Sequence, residues 1–245
     1  MSNKWDFYFA RLNDEPASLF VDLGIRDSVP DPLRTHLIWC WVYINQPRSD
    51  GLSSASEAPT LWTIENDLVG SIKEQASFVG RITTAGRREF YFYAEDVARC
   101  EETISHTLGK HAAYRFDIGS KRDELWSEYL DLLYPSPEDF QRIENRSTIE
   151  VLEQQGDQLA KSRPVSHWAY FSTQGAREAF LAEVTKNGFT TAAELGDPST
   201  HQYGVRLEKM TSIERIDDVT IELFRLARSY DGEYDGWETT VEKPS

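Results

Sequence analysis

Long apolar runs, secretory patterning, paired cysteines and glycine-rich nucleotide loops are all missing from this sequence. Each absence removes a class of function. The longest uninterrupted apolar run, Leu37 to Ile44, is strand-sized and too short to span a bilayer. The opening "MSNKWDFYFARLND" has no n-region, h-region or cleavage site, so no secretory signal is expected. The only two cysteines, Cys40 and Cys100, lie far apart, each among apolar neighbours, which reads as buried reduced thiols in a cytoplasmic protein. G-x-S-x-G, Walker and G-x-G-x-x-G patterns are absent. The five histidines (His36, His106, His111, His167 and His201) are scattered without zinc-ligand spacing, so no metal and no cofactor is expected. Positive charge is also scarce. The net charge of −15 is spread over the chain, with 14 Lys/Arg against 21 Asp/Glu in residues 1–135 and 12 against 20 in residues 136–245. Both halves would repel a phosphate backbone at long range, so direct nucleic-acid binding is not expected.

What is present suits a folded chain of one large or two small domains. Apolar residues make up 40% of 245, with 7 Trp, 11 Tyr and 12 Phe to fill a core. Two strand-like runs, Lys4–Leu12 and Ala17–Leu23, flank a polar turn. "LRTHLIWCWVYI" (33–44) reads as a central buried strand. Leu61, Ile64, Leu68 and Ile72 have helical spacing behind Pro59. "SFVGRITT" and "REFYFYAE" form a hairpin around Gly86. A helix through Val97, Cys100, Ile104 and Leu108 follows, capped by Asp96 and ended by Gly109. "AAYRFDI" (112–118) is a further strand, and Trp126–Leu133 a short helix that stops at Pro135.

From residue 33 this order is β-α-β-β-α-β, and the second half repeats it. "VSHWAYF" is followed by a helix that Thr173 caps, and "FTTAAEL" pairs with "QYGVRLEKM" across "GDPSTH". A second helix through Val219, Leu223, Leu226 and Ala227 starts behind Asp217. The expected fold class is α+β: two ferredoxin-like sandwiches, the first enlarged by an N-terminal β-hairpin, over residues 1–135 and 164–245, with a helical linker at 136–163.

The closing run "YDGEYDGWETTVEKPS" (230–245) nearly spells a calcium loop, with Asp231, Glu233, Asp235 and Glu242 at ligand positions and Gly236 at the turn. Only three residues follow Glu242, and Thr239–Val241 favour extended backbone, so no exiting helix is expected and no metal site. In "RREFYFYAE", Arg88, Phe90 and Phe92 fit an RNA-stacking strand, but Glu89, Tyr91 and Glu95 depart from it. A sheet strand with aromatics on both faces is the expected reading.

Two resemblances add to this. "HWAYF" (167–171), "NGF" (187–189) and "LARSYDGEYDGWET" (226–239) look like the RraB family, ferredoxin-like regulators of ribonuclease activity. That resemblance implies a non-catalytic protein that binds and inhibits RNase E. "WDFYFARLND", "DGLSSASEAPTLWTIENDL", "FVGRITTAGRREFYFYAED" and "LWSEYLDLLYP" resemble domain of unknown function 695 across residues 4–135, which implies no mechanism. The tail is then expected to be a recognition surface. Asp231, Glu233, Asp235 and Glu238 would attract a basic protein partner, and Tyr234 and Trp237 would supply contact area. Burial of Trp237 as an anchor of the last strand is the open alternative. An enzyme or small-molecule sensor with its site in a cleft between the two domains is the other functional reading.

Overall fold

The computed structural model describes residues 2–197 and 202–243. The turn expected at "GDPSTH" therefore lies largely outside the described residues, as does His201. The chain is a mixed α+β protein that divides into two compact units, Met1–Asp139 and Phe140–Ser245. The segment expected as a linker thus counts mainly with the second unit.

In the first unit the strands are β1 (Trp5–Leu12), β2 (Glu15–Asp22), β3 (His36–Tyr43), β4 (Ala76–Thr84), β5 (Arg87–Ala94) and β6 (Phe116–Arg122). Helices α1 (Ala58–Ile72) and α2 (Val97–Gly109) connect them. All pairings are antiparallel, in the order β1-β2-β4-β5-β3-β6. Strand alternation decides the core. Ile38, Cys40 and Val42 of β3 and Phe90 and Phe92 of β5 point to one face. There they meet Leu61, Ile64, Leu68 and Ile72 of α1 and Cys100, Ile104 and Leu108 of α2. Asp96 caps α2 by accepting from the Arg99 N–H, and Pro59 sits in the first turn of α1. Phe90 and Phe92 are therefore closed off beneath helices and cannot stack on bases. Cys40 and Cys100 are free and buried in the same core.

The opposite face is covered by a π-helical turn, Glu128–Leu133. Trp126 stacks flat on Tyr93 at 3.9 Å, and Tyr129 donates to the Asp22 carbonyl at 2.7 Å. Asp123 fixes this turn by accepting from the N–H groups of Ser127 and Glu128 and from the Tyr93 hydroxyl.

The strand expected at 112–118 lies four residues later, at β6. A turn from His111 to Tyr114 takes up its first residues, closed by the Tyr114 N–H on the His111 carbonyl. Gly119 then lets the sheet continue, because a Cβ there would overlap the Trp39 ring.

The second unit contains α3 (Pro137–Gln154, which starts just inside the first unit), β7 (Arg163–Phe171), α4 (Gln174–Lys186), β8 (Thr190–Asp197), β9 (Gln202–Thr211), α5 (Ile216–Ser229) and β10 (Gly232–Glu238). Its antiparallel sheet has the order β10-β7-β9-β8. Phe171, Val205, Leu207 and Tyr234 of the sheet pack on Phe180 and Val184 of α4 and on Val219, Leu223 and Ala227 of α5. Thr173 caps α4 through the Ala176 N–H. Asp217 does not cap α5. A 3-10 turn, Ile213–Arg215, leads into that helix, so Asp217 falls in its first turn and accepts from Asn145 instead.

Burial opposes ionisation of Asp123, but its hydrogen bonds from Tyr93 and from the Glu128 and Ser127 N–H groups outweigh this and hold its carboxyl below the usual range. Such a group stabilises the fold above the ordinary carboxylate pKa, and the contribution is lost as pH falls through the lowered folded value. Asp123→Asn should therefore cost about 1–3 kcal/mol at pH 7, as expected for disturbing buried hydrogen bonds. It should also weaken the acid dependence of stability below about pH 4. Urea unfolding at pH 7 and at about pH 2.5 measures both effects.

Candidate protein-binding surface

The acidic closing run is a β-strand. The α5 helix ends with the N–H groups of Tyr230 and Asp231 on the carbonyls of Ala227 and Arg228, and Asp231 then turns the chain at φ 52°. Gly232 follows because a Cβ there would overlap the Phe171 ring. β10 then runs antiparallel to β7, with Glu233 opposite Tyr170, Tyr234 opposite Ala169 and Trp237 opposite His167. A bulge between Tyr234 and Gly236 leaves Asp235 outside the ladder, and Gly236 accommodates it at φ 125°.

Alternation sorts the candidate residues into two groups. Glu233, Asp235 and Glu238 are exposed, as is Asp231 at the turn. Tyr234 points inward, is only 6% exposed and has its hydroxyl 2.9 Å from His167 Nδ1. Burial, and secondarily Lys209, pushes the His167 pKa down to about 3, so the imidazole is neutral and Nδ1 shares a hydrogen bond with the phenol hydroxyl. Tyr234 therefore anchors the strand from below. The Trp237 indole is half-buried against Leu152, Val165, Ile213 and Ile216 and donates to Asn145 Oδ1 at 2.8 Å. It also anchors β10, the alternative left open by the sequence.

A residue that the sequence did not single out completes the arrangement. Asn145 on α3 is fully buried. Its Oδ1 accepts from Trp237 Nε1 and from Gln141 Nε2. Its Nδ2 donates to Asp217 Oδ1 and Thr220 Oγ1, both at 2.7 Å. One side-chain amide thus joins α3, α5 and β10. Further along, Arg163 makes two hydrogen bonds to Asp157, which also accepts from the Glu242 N–H and so fastens the chain beyond β10. Glu242, the twelfth position of the calcium-like run, is committed to this contact and to Lys161. Because β10 is extended, its carboxylates are spaced along a strand and do not converge. Among the described residues no group of three or more His, Cys, Asp or Glu could hold a metal ion.

A cleft of about 720 Å³ is lined by residues of α3, α4 and α5. Glu183, Asp217, Asp218 and Glu222 line it together with Arg142 and Arg225, and no histidine takes part among the described lining residues. Carboxylates thus predominate on both the strand and the neighbouring helices. Burial, and secondarily the nearby Asp235, raises the pKa of Glu144 on α3. No helix among the described residues is long and apolar enough to cross a membrane.

Comparison with known proteins divides the chain in two. The model of a family of unknown function (DUF695) matches residues 3–134, and that of Regulator of ribonuclease activity B matches residues 142–239. The second match begins inside α3, upstream of the resemblance read from residues 164–243. No curated protein is significantly similar to the chain. Among solved structures, a protein provisionally described as a glycine cleavage system transcriptional repressor is 13% identical, with 85% of this chain and 99% of that chain covered and a TM-score of 0.28. An unknown protein from Galdieria sulphuraria is also 13% identical, covering 84% and 99%, with a TM-score of 0.24. Overall likeness at this level carries no argument.

If Asn145 supports the acidic strand, Asn145→Ala should destabilise the protein by about 2–4 kcal/mol, because it removes a hydrogen-bond partner from the buried Gln141 and Thr220 side chains and from the half-buried Trp237 indole. Chemical denaturation of the full chain measures the loss. Amide exchange at residues 232–238 should accelerate in the variant, and unchanged exchange there would remove Asn145 from its supporting role.

Proposed function

Because the chain belongs to the DUF695 family through residues 3–134 and carries a Regulator of ribonuclease activity B segment at 142–239, we propose that it is a non-catalytic, cytoplasmic regulator of RNA turnover. It binds an RNase E-like endoribonuclease directly and inhibits it, and the second unit is its binding module. The observation that carries this reading is the display, within the matched segment, of Asp231 at the turn before β10 and of Glu233, Asp235 and Glu238 on it, while Tyr234 and Trp237 hold the strand from beneath. Exposed carboxylates on a fixed strand speed encounter with a basic protein surface and orient it.

The element order β7-α4-β8-β9-α5-β10, with the first strand flanked by the fourth and third, supports a ferredoxin-like reading of this unit. The same relation holds for β3-α1-β4-β5-α2-β6 in the first unit, where the β1–β2 hairpin extends the sheet beyond β4. On this account the acidic strand recognises protein, and the RNA is handled by the enzyme that it holds.

Replacing Asp231, Glu233 and Glu238 together with lysine should leave the melting temperature within a few degrees of wild type, since surface substitutions mostly change stability by about 0.5 kcal/mol or less each. The same replacement should weaken inhibition of RNase E cleavage of a model RNA at least tenfold, and flatten its dependence on salt. Equal inhibition by both proteins would take the strand out of the mechanism. No inhibition by wild type would remove the regulator reading itself.

A further inference from the structure

The first unit has no assigned activity, yet it holds a recess of about 450 Å³ on the sheet face opposite α1 and α2, within the size range of small-molecule sites. The recess lies between the tips of the β1–β2 and β4–β5 hairpins. Both hairpins close through two-residue turns with positive φ, at Asn13 (50°) and Asp14 (65°) and at Ala85 (47°) and Gly86 (74°). Such turns follow the twist of paired strands and are stiff. The second is also fastened by the Gly86 N–H on the Gly51 carbonyl. The walls are therefore preformed.

At the floor sits Glu89, 5% exposed. Its Oε1 accepts from Arg87 Nε at 2.5 Å and its Oε2 from the Tyr91 hydroxyl. The Arg87 guanidinium lies over the Trp41 ring at 4.3 Å, which fixes its plane. An ion pair buried in this way gives little net stability, and apolar groups of similar volume would often serve the fold as well. Here the pair, with Glu89 buried and the Arg87 side chain 29% exposed, lines an open recess instead of sealing a core, so a ligand there can reach both charges.

The groups that remain uncommitted define the ligand. The two Nη groups of Arg87 make no hydrogen bond among the described residues, and Arg11 at the rim donates only to the carbonyl of Asp14 in its own turn. A carboxylate has about four acceptor positions, and the bonds from Arg87 and Tyr91 to Glu89 use two. Glu15 stands at the rim as a second carboxylate. Leu12, Ile82 and Leu132 supply apolar wall between them. A simple anion would meet two carboxylates here, and a simple cation two guanidinium groups. A molecule carrying both charges meets complementary partners at each end.

The geometry points to a binding site for a free α-amino acid with an aliphatic side chain. Its carboxylate would face Arg87 and Arg11, its ammonium Glu89 and Glu15, and its side chain the Leu12–Ile82–Leu132 wall. Charge-assisted hydrogen bonds at both ends give selectivity for the zwitterion over either half of it.

The test is titration calorimetry of the full chain with each of the twenty L-amino acids, and with 4-methylpentanoate and isopentylamine as single-charge analogues of leucine. The expected result is one-to-one, saturable binding of one or more aliphatic amino acids, with each analogue at least tenfold weaker. Arg11→Ala, which leaves the buried pair intact, should weaken binding at least tenfold. Leu132→Trp, which fills the recess from its rim, should abolish it, with circular dichroism and melting temperature confirming that both variants fold. No binding by any of the twenty, equal binding of an analogue, or binding that survives Leu132→Trp would each overturn the proposal.

Discussion

The second unit depends on one buried amide. Asn145 has no exposed surface, yet it sits where α3, α5 and β10 meet, and each of those elements contributes a polar atom that could not be buried alone. Leaving such an atom unpaired costs about 1–3 kcal/mol, so these contacts are coupled. The Trp237 indole packs on the cluster of Leu152, Val165, Ile213 and Ile216 while its N–H ends on Asn145. With Trp237 held at one end of β10 and Tyr234 on His167 near its middle, the carboxylates between and beside them can only face outward. The acidic surface follows from how the inward side chains are satisfied.

That ordering separates two roles which a run of aromatics and acids would otherwise blur. Tyr234 and Trp237 contribute burial and hydrogen bonds, and Asp231, Glu233, Asp235 and Glu238 contribute field. The net charge of −15 sets the sign of the long-range field, but fixed charges on a strand matter more at close range, because salt screens interactions beyond roughly 8–10 Å. The carboxylates lining the α4–α5 cleft extend the same sign across the neighbouring helices. Both units also pair acids with arginines, Glu65 with Arg81 and Glu89 with Arg87 in the first and Asp157 with Arg163 in the second.

Periodicity made much of this visible in advance. The spacing of Leu61, Ile64, Leu68 and Ile72 and the alternation through "FYFYA" placed the first core, and Asp96 and Thr173 marked helix starts by side chains that do cap. Local signals failed where tertiary contacts override them. The strand at 116–122 begins late because a turn precedes it and the Trp39 ring needs Gly119, a demand made from another strand. Asp217 has the chemistry of a cap but serves Asn145, 72 residues away. Asn145 itself, in "RIENRS", has no distinguishing neighbours, since its partners lie on α5 and β10. The same holds for the recess beside Glu89, which two hairpin tips assemble. Of the tail, the acids were legible as a group. The division into inward and outward side chains needed the register against β7 and the bulge at Asp235.

Hydrogen exchange on the full chain, free and in complex with the purified RNase E of the same host, addresses the central claim most directly. Protection on binding should concentrate in β10, residues 232–238, with the adjoining face of α5, and should diminish as salt is raised. A complex that forms while exchange in that strand stays unchanged, with protection confined to the first unit, would contradict the account.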